Sequence, residues 1–172
     1  NQMAAYYKKN NLTYDKYTGS LSEYNGILAK GGAANIEIYC TIFKQEAEVE
    51  GVRVEVAFTQ AMLETGFLKF GGDVKPDQYN FAGMGATGGI SGEKFSDVRE
   101  GIRAQIQHLK CYASDAALNN ACVDPRWGTW LRNKALYVQW LSKANNPYGI
   151  GWATDAEYSE KILSMIKSLK AN

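Results

Sequence analysis

The chain is poor in the residues on which several large classes of site depend. Its 172 residues include one histidine and three cysteines, and 19 lysines and arginines nearly balance 18 aspartates and glutamates. A formal charge of +1 provides no broad basic surface for a polyphosphate, so we predict no nucleic-acid partner. Zinc hydrolases normally need more than one histidine ligand, so we also predict no metal site.

The three cysteines, Cys40, Cys111 and Cys122, have no zinc-binding spacing and cannot all pair within one chain. Cys40 lies in an apolar helical run and is expected in the core. A disulfide between Cys111 and Cys122 is possible by composition, but free thiols are favoured. A catalytic pair of Cys111 with His108 is disfavoured, because both positions fit packing and surface roles better.

Long apolar runs and nucleotide motifs are missing as well. No run approaches the ~20 apolar residues needed to span a bilayer, and the first residues, NQMAAYYKKN, lack the apolar core of a signal peptide. The stretch GMGATGG lacks the Lys-Ser/Thr of a phosphate loop. We therefore expect a soluble monomer with no membrane span and no cofactor.

Helical periodicity is what the sequence does contain, and it predicts a mainly α single domain. Residues 1–33 have weak periodicity and are expected to form an irregular N-terminal wrap on the main domain, 34–172. Helices are predicted from about 34 to Gly51, over 53–65, from an Asp97 cap to 113, and over 127–143. A last helix should follow a capping box of Thr154 and Glu157.

A glycine-rich excursion interrupts these helices after the second one. The segment FGGDVKPDQYNFAGMGATGGISGEKFSD should be a long loop with a small hairpin within 83–95. Long structured loops in compact domains are usually functional, so this loop is expected to flank a cleft.

One acid, Glu64, lies on the flank of the apolar second helix in the stretch AMLETGFL. Partial desolvation and the carbonyl end of the helix both disfavour its charged form, so we predict a pKa above the roughly 4.3 of a free glutamate. Such a carboxyl suits a general acid. The plain alternative is a solvated glutamate, or one paired with Lys69.

Glycosidases usually pair a general acid with a second carboxylate. Glu93, in GGISGEKF, is the candidate in the glycine-rich loop. Asp97 and Glu100 are accounted for by capping the following helix. Asp73 and Asp77, which are closer to Glu64 in sequence, remain open.

The runs EVAFTQAMLETGFL, QYNFAGMGATGG, FSDVREGIRAQIQHLKCYA, DPRW and NPYGIGWATDAEYSEKI, in this order, resemble the bacterial peptidoglycan endo-β-N-acetylglucosaminidases of glycoside hydrolase family 73. The resemblance extends from about residue 35 to the C-terminus. It implies a lysozyme-like helical fold, with Glu64 as general acid and Glu93 as the second acid after a hairpin. It also implies that Asn80 in N-F-A-G lines the sugar site.

Two departures from the family pattern affect the predicted site. The hairpin is shorter than in many members, which leaves the second acid open. The family motif Y-A-T-D is W-A-T-D here, so Trp152 replaces an expected tyrosine, and Tyr148 and Tyr158 are candidates to supply the phenol. An indole can stack on a sugar but does not provide a phenolic hydroxyl.

The predicted sugar contacts are polar and aromatic side chains near these motifs. For each, plain packing or solvation is the alternative, and Tyr158 in particular also fits the apolar stripe of the last helix. They are Gln60, Tyr79, Asn80, Phe81, Trp127, Tyr148, Trp152 and Tyr158.

The predicted function is hydrolysis of peptidoglycan glycan strands after N-acetylglucosamine, in the manner of an autolysin. The expected location is extracellular and at the cell wall, which is an inference from the substrate. The alternatives are a lytic transglycosylase on the same fold, which forms a 1,6-anhydro product, and a non-catalytic peptidoglycan-binding module.

Overall fold

The structure is a computed structural model that describes residues 2–11 and 26–172. These residues form a mainly helical domain with one small antiparallel sheet, as predicted. The elements are α1 (Gln2–Asn10), α2 (Ile27–Lys30), α3 (Ile36–Glu50), α4 (Val54–Thr65), β1 (Ala86–Thr87), β2 (Ile90–Ser91), α5 (Val98–Ala113) and α6 (Tyr158–Lys170).

Helix α4 forms the centre of the core and packs against α3, α5 and α6. Residues 56–62 are buried without interruption, so the helix is enclosed on nearly all sides rather than along one stripe. Each large apolar side chain here, such as Phe58 or Met62, contributes about 1.5–3 kcal/mol by leaving water. This tight packing gives the last turn of α4, which carries Glu64, a rigid support.

The helix ends are set by local polar groups. The Asn35 side chain accepts a hydrogen bond from the Ile38 amide and starts α3. Gly51, at φ 71, ends α3 in the left-handed conformation that glycine adopts easily. The Asp97 side chain accepts a hydrogen bond from the Glu100 amide and starts α5, which confirms the predicted cap.

The predicted helix over 127–143 is wrong. Short 3-10 turns occupy this region instead, at Thr129–Leu131, Val138–Leu141 and Lys143–Asn145. Backbone groups here bond to distant partners: the Ala135 amide donates to Tyr112, and the Asn146 side chain donates to the Lys134 and Trp140 carbonyls. Those contacts replace the i to i−4 bonds of an α-helix.

The predicted capping box before α6 is also wrong. The Asp155 carboxylate, not Thr154, accepts a hydrogen bond from the Glu157 amide, at 2.9 Å. Glu157 is the N-cap residue and makes no side-chain cap. The buried side of α6 does follow the predicted stripe, with Tyr158, Ile162, Ile166 and Leu169 buried.

The segment expected to be an irregular wrap, 1–33, contains α1 and α2 in its described parts, and the rest of that prediction lies outside the described residues. Helix α1 packs against α3 and α6. None of the helices in the described ranges is long and apolar enough to traverse a lipid bilayer.

All three cysteines are free thiols. Cys40 is fully buried, as expected for a core residue. The Cys111 thiol donates to the Gly128 carbonyl, and burial raises its pKa, which disfavours the thiolate needed for a nucleophile.

The small hairpin falls within the predicted segment, with Ala86 opposite Ser91 and Thr87 opposite Ile90. The loop before it is anchored in the core by Phe81, whose ring meets Tyr39 edge-on at 5.1 Å. This anchor places the backbone of 82–85 over the end of α4, where the candidate site lies.

Candidate active site

Glu64 lies at the floor of a cleft, in the last turn of α4. We call the space around it the acid cavity. It measures about 230 Å³ and is lined by Glu64, Phe70, Gly72, Asp73, Val74, Gly83 and Ala86. The Glu64 residue is exposed to solvent through the cleft, while neighbouring protein atoms surround its carboxyl on the other sides.

This enclosure raises the pKa of Glu64 from its usual 4.5 to about 7, and a hydrogen bond from Tyr158 opposes the rise. The direction agrees with the sequence prediction, and desolvation is the dominant cause. A carboxyl with such a pKa holds its proton through mildly acidic pH and can still release it, as a general acid must.

A chain of buried side-chain hydrogen bonds leads to Glu64. The Gln105 amide nitrogen donates to the Ala57 carbonyl at 2.8 Å and to Gln60 Oε1 at 2.9 Å. Gln60 Nε2 then donates to the Tyr158 hydroxyl oxygen at 3.0 Å. The Tyr158 hydroxyl donates to Glu64 Oε1 at 2.7 Å.

The direction of every bond in this chain follows from its first member. A backbone carbonyl can only accept, so the Gln105 nitrogen must face Ala57, and the Gln60 oxygen must face Gln105. Gln60 therefore donates to Tyr158, whose own proton points to Glu64 Oε1. Burial and the nearby Glu64 charge hold the pKa of Tyr158 well above its usual value, so that proton stays in place.

The acid proton of Glu64 is therefore assigned to Oε2. This oxygen lies only 2.8 Å from the point where a Cβ on Gly83 would stand. Gly83 lines the acid cavity and has φ 63. A glycine at this position leaves room for Oε2 beside the loop, at the edge of the cleft.

Asn80 holds this loop in place. Its Oδ1 accepts from the Met84 amide at 3.0 Å, and its Nδ2 donates to the carbonyls of Met84 at 2.9 Å and Glu93 at 3.1 Å. The side chain is 1 % exposed, so the direct sugar contact predicted for Asn80 is not available to it. Its bonds instead brace the turn that carries Gly83.

Other predicted sugar contacts are also enclosed. Gln60 and Phe81 are fully buried, and Tyr79 is buried with its hydroxyl bonded to the Ile27 carbonyl. Tyr158 is buried and meets Glu64 rather than open cleft. These four buried side chains do not line the cleft but support the site from the core.

Trp152 is the predicted aromatic contact that the structure places in the cleft. Its Nε1 donates to the Ala82 carbonyl at 3.1 Å, which ties the C-terminal loop to the turn before Gly83. Trp127 and Tyr148 are not among the residues that line the cleft. Trp127 lies under the Arg132 guanidinium and Tyr148 under the Lys134 ammonium.

The cleft continues past the loop into a second space, which we call the tryptophan cavity. It measures about 450 Å³ and shares Gly83 and Ala86 with the acid cavity. Its other lining residues include His108, Tyr112, Arg126, Trp130 and Trp152.

Sequence reasoning missed most of this second cavity. His108, interpreted as a packing or surface position, is buried, with Nδ1 2.7 Å from Asp124 Oδ2 and its ring edge-on to Trp152 at 4.8 Å. Neither Arg126 nor Trp130 is among the predicted site residues. Arg126 belongs to the DPRW motif, in which a positive charge beside an aromatic side chain is the available signal.

The three candidates for a second carboxylate lie at different places. Asp73 lines the acid cavity with Glu64, and its Oδ2 accepts from the Gly89 amide at 3.2 Å. Glu93 follows β2, is half-buried and lines neither cavity; its Oε1 lies 3.3 Å from where a Cβ on Gly85 would stand. Asp77 faces Lys94 at the surface, away from the cleft.

A family model described as Glucosaminidase, mannosyl-glycoprotein endo-β-N-acetylglucosaminidase, matches residues 40–171. The chain belongs to this family of glycoside hydrolases. A protein of Borreliella burgdorferi, described as an uncharacterized protein, is 39 % identical over 125 residues, which are 72 % of this chain and 58 % of that protein. The chain thus spans little more than half the length of this relative. No solved structure gives a significant match.

The glucosaminidase family match includes every residue of the candidate site, from Gln60 to Tyr158. Among the described residues, no cluster of three or more His, Cys, Asp or Glu side chains is arranged to hold a metal ion. The side chains that line the glucosaminidase cleft include carboxyl, phenol, imidazole and guanidinium groups.

Proposed function

We propose that this domain hydrolyses the glycan strands of peptidoglycan at the bond that follows N-acetylglucosamine, with Glu64 as the general acid. The observation that carries the proposal is the Glu64 carboxyl at the cleft floor, with a pKa near 7 and its Oε1 bonded to Tyr158. The glucosaminidase family match supports the reaction class.

In this mechanism Glu64 Oε2 gives its proton to the glycosidic oxygen as the bond from C1 to that oxygen breaks. The bonding electrons go to the departing oxygen, which leaves as a hydroxyl. The carboxylate that remains keeps the hydrogen bond from Tyr158, which stabilises its negative charge. A water molecule then adds to C1 and gives up a proton, which restores the acid.

The positive charge that develops at C1 needs a partner. Asp73, in the same cavity as Glu64, and Glu93, indicated by the family resemblance, are the two candidate carboxylates. The 2-acetamido group of the substrate is a third route, because its carbonyl can attack C1 directly. The three routes predict different losses of turnover for Asp73→Asn and Glu93→Gln.

The decisive experiment compares Glu64→Gln with wild type on purified bacterial cell walls, measuring release of reducing ends. We expect a loss of about 10²–10⁴-fold, because the amide cannot donate a proton in this way. Glu160→Gln, an exposed glutamate on α6, is the matched control and should retain full activity. A Glu64→Gln enzyme within about tenfold of wild type would contradict the assignment.

The products separate the competing functions. Hydrolysis leaves reducing N-acetylglucosamine ends, whereas a lytic transglycosylase leaves a 1,6-anhydro sugar lighter by one water. A binding module would retain wall fragments without releasing any ends. Because the family description names mannosyl-glycoproteins, a high-mannose glycoprotein belongs in the same assay, and cleavage of that substrate alone would contradict a peptidoglycan substrate.

The proposed site of action follows from the proposed substrate. Peptidoglycan lies outside the cytoplasmic membrane, so we propose that the domain acts there as an autolysin-type enzyme.

A further inference from the structure

The tryptophan cavity contains an imidazole that the acid chemistry does not use. His108 is the single histidine of the chain, and it lines this cavity from helix α5. Its side chain is 9 % exposed, and its Nδ1 lies 2.7 Å from Asp124 Oδ2. The Asp124 side chain is fully buried, so the pair is held inside the protein rather than at its surface.

Asp124 determines which nitrogen of the imidazole carries the proton. Its Oδ1 accepts a hydrogen bond from the Arg126 backbone amide at 2.8 Å, which leaves Oδ2 for the imidazole. A carboxylate oxygen accepts, so the proton between the two side chains is assigned to His108 Nδ1. In the neutral ring the other nitrogen, Nε2, then has a free lone pair and is a hydrogen-bond acceptor.

Nε2 of His108 opens into the tryptophan cavity. Across residues 2–11 and 26–172, the hydrogen bond of this ring is the one at Nδ1. In the same residues, the fully enclosed polar side-chain atoms without a partner are Tyr39 Oη and Gln105 Oε1. Nε2 is not one of them, so it has solvent-accessible surface, and the open space that the ring lines is the cavity.

Two aromatic side chains hold the imidazole in this orientation. The rings of Tyr112 and Trp152 meet it edge-on, at centroid distances of 5.3 and 4.8 Å. Their own polar atoms are already bonded, because the Tyr112 hydroxyl donates to the Gly151 carbonyl and Trp152 Nε1 donates to the Ala82 carbonyl, each at 3.1 Å. Within the described chain, Nε2 is therefore the polar ring atom of this cluster without a partner. An enclosed acceptor in this state favours a ligand that supplies a donor.

The guanidinium of Arg126, which lines the same cavity, lies beside a carboxylate. Arg126 Nη1 and Glu93 Oε1 are 3.5 and 3.3 Å from the same point, where a Cβ on Gly85 would stand. The imidazole is instead a neutral acceptor fixed between aromatic faces. Such a group suits an uncharged donor, and hydroxyl groups are the donors that a sugar offers in greatest number.

We propose that His108 is a substrate-binding residue whose Nε2 accepts a hydrogen bond from a sugar hydroxyl, and that Asp124 is the positioning residue that keeps the proton on Nδ1. This inference rests on the proposed function, because it takes the glycan as the ligand. The imidazole orients a hydroxyl and transfers no proton, so its role is separate from that of Glu64.

Nitrogen NMR tests the assignment, because a single histidine gives one pair of ring signals. Glu64→Gln, which should bind substrate without cleaving it, is labelled at histidine nitrogen and studied at about pH 8, where imidazoles are ordinarily neutral. The probe is a soluble peptidoglycan tetrasaccharide with its stem peptides. We expect a protonated Nδ1 and a bare Nε2 in the free protein, and a shift of the Nε2 signal at saturation. A proton on Nε2 in the free protein, or an unmoved Nε2 signal at saturation, would overturn the proposal.

Asp124→Asn adds a measurement of affinity. The new amide keeps an oxygen for the Arg126 backbone amide and turns its NH₂ group to Nδ1, so the imidazole proton moves to Nε2 and the acceptor becomes a donor. On the Glu64→Gln background, calorimetry should show a Kd for the tetrasaccharide that is raised about 2- to 10-fold, the range for one neutral hydrogen bond. NMR should show the exchanged tautomer. An unchanged Kd with an exchanged tautomer would contradict the role of Nε2.

Asp115→Asn is the matched control, because Asp115 is an exposed aspartate that precedes Asp124 in the same loop and does not line the cavity. It should leave the Kd and both ring signals unchanged. Should Asp124→Asn fail to fold, the response of Nε2 in the protein that retains Asp124 decides alone. If wild type cleaves walls and Nε2 does not respond to the bound probe, only the role of His108 falls. If walls are not cleaved and the probe does not bind, the proposed function falls as well.

Discussion

The Tyr158 hydroxyl donates a 2.7 Å hydrogen bond to Glu64 Oε1, across 94 positions of sequence. It joins the start of α6 to the end of α4, two helices that pack directly against each other. The bond favours the charged carboxylate and so works against the desolvation that favours the neutral acid. The acidity of Glu64 is set by the balance between these two effects.

Replacing Tyr158 by Phe should therefore shift the pH profile upward. A general acid works while protonated, so activity is lost as pH rises through its pKa, here about 7. Removing the bond that stabilises the carboxylate raises this pKa, and the high-pH limb of kcat/KM should move up by about 1 unit. The measurement is kcat/KM against pH on a soluble glycan.

Tyr137→Phe is the control for this experiment, because Tyr137 is 61 % exposed and lies outside both cavities. Its profile should match wild type. A Tyr158→Phe limb that stays in place or moves to lower pH would refute the role assigned to the phenol.

Replacing Gln60 by Met should destabilise the protein and disturb the acid. The change leaves Gln105 and Tyr158 each without one partner in a buried setting, which typically costs about 1–3 kcal/mol. The Tyr158 proton is then free to turn away from Glu64. Urea unfolding measures the first effect, and the high-pH limb of kcat/KM measures the second.

The exposed Gln139→Met serves as the control, with an expected change in unfolding free energy within about 0.5 kcal/mol. A stability loss for Gln60→Met without any change in pH profile would mean that Gln60 supports the fold alone.

Asp73→Asn should reduce turnover more than Glu93→Gln, because Asp73 lines the cavity of Glu64 and Glu93 does not. We expect a loss of about 10²-fold or more for Asp73→Asn, with partial recovery in azide as the small anion takes the place of the carboxylate. The readouts are reducing-end release and mass detection of a glycosyl azide.

A larger loss of turnover for Glu93→Gln than for Asp73→Asn would assign the role of second carboxylate to Glu93. Near-normal turnover in both variants would instead point to the 2-acetamido route. Asp77→Asn, at a surface pair with Lys94, is the matched control and should behave as wild type.

Glu64→Gln should stabilise the folded protein in a pH-dependent way. Below pH 4.5 the carboxyl is protonated whether the chain is folded or unfolded, so its ionisation has no effect on stability. Between 4.5 and about 7 the unfolded chain loses the proton first, so wild type loses stability as pH rises. Above about pH 7 the carboxyl is ionised in both the folded and the unfolded chain, so the loss of stability no longer changes with pH.

Because glutamine does not ionise, the difference in Tm between Glu64→Gln and wild type should be larger at pH 8 than at pH 4. The measurement is thermal unfolding across this range, with Glu160→Gln as control. A constant difference at all pH values would mean that the carboxyl is not desolvated in the fold.

The sequence was sufficient where local chemistry determines structure. The Asp97 cap, the Gly51 terminus and the apolar run around Glu64 all act over a few residues, so their patterns predict α3, α4, α5 and the raised pKa of Glu64. The 127–143 segment has helical spacing too, yet its amides and carbonyls bond to Tyr112 and Asn146. Tertiary contacts override local propensity there.

The site residues also divide into those whose surroundings follow from a local pattern and those that depend on tertiary contacts. The raised pKa of Glu64 is predictable because its position on one helix implies its surroundings. Arg126 and Trp130 reach the cleft only because an irregular segment crosses to the glycine-rich loop, and no periodic pattern encodes that crossing. Asn80 is predicted to contact sugar, but its carboxamide bonds to backbone groups of its own turn. A sequence motif alone does not distinguish these two roles.

The closeness of Gly83 to Glu64 gives the missing side chain at position 83 a role in the proposed mechanism. Even a methyl group at position 83 would stand 2.8 Å from Oε2, and the left-handed backbone there would be strained as well. Either the loop that carries Gly83 would lift or the carboxyl would swing aside. In both cases the proton and the scissile oxygen of the proposed mechanism would lose their alignment, so the proposed activity depends on a side chain that is absent as much as on those that are present.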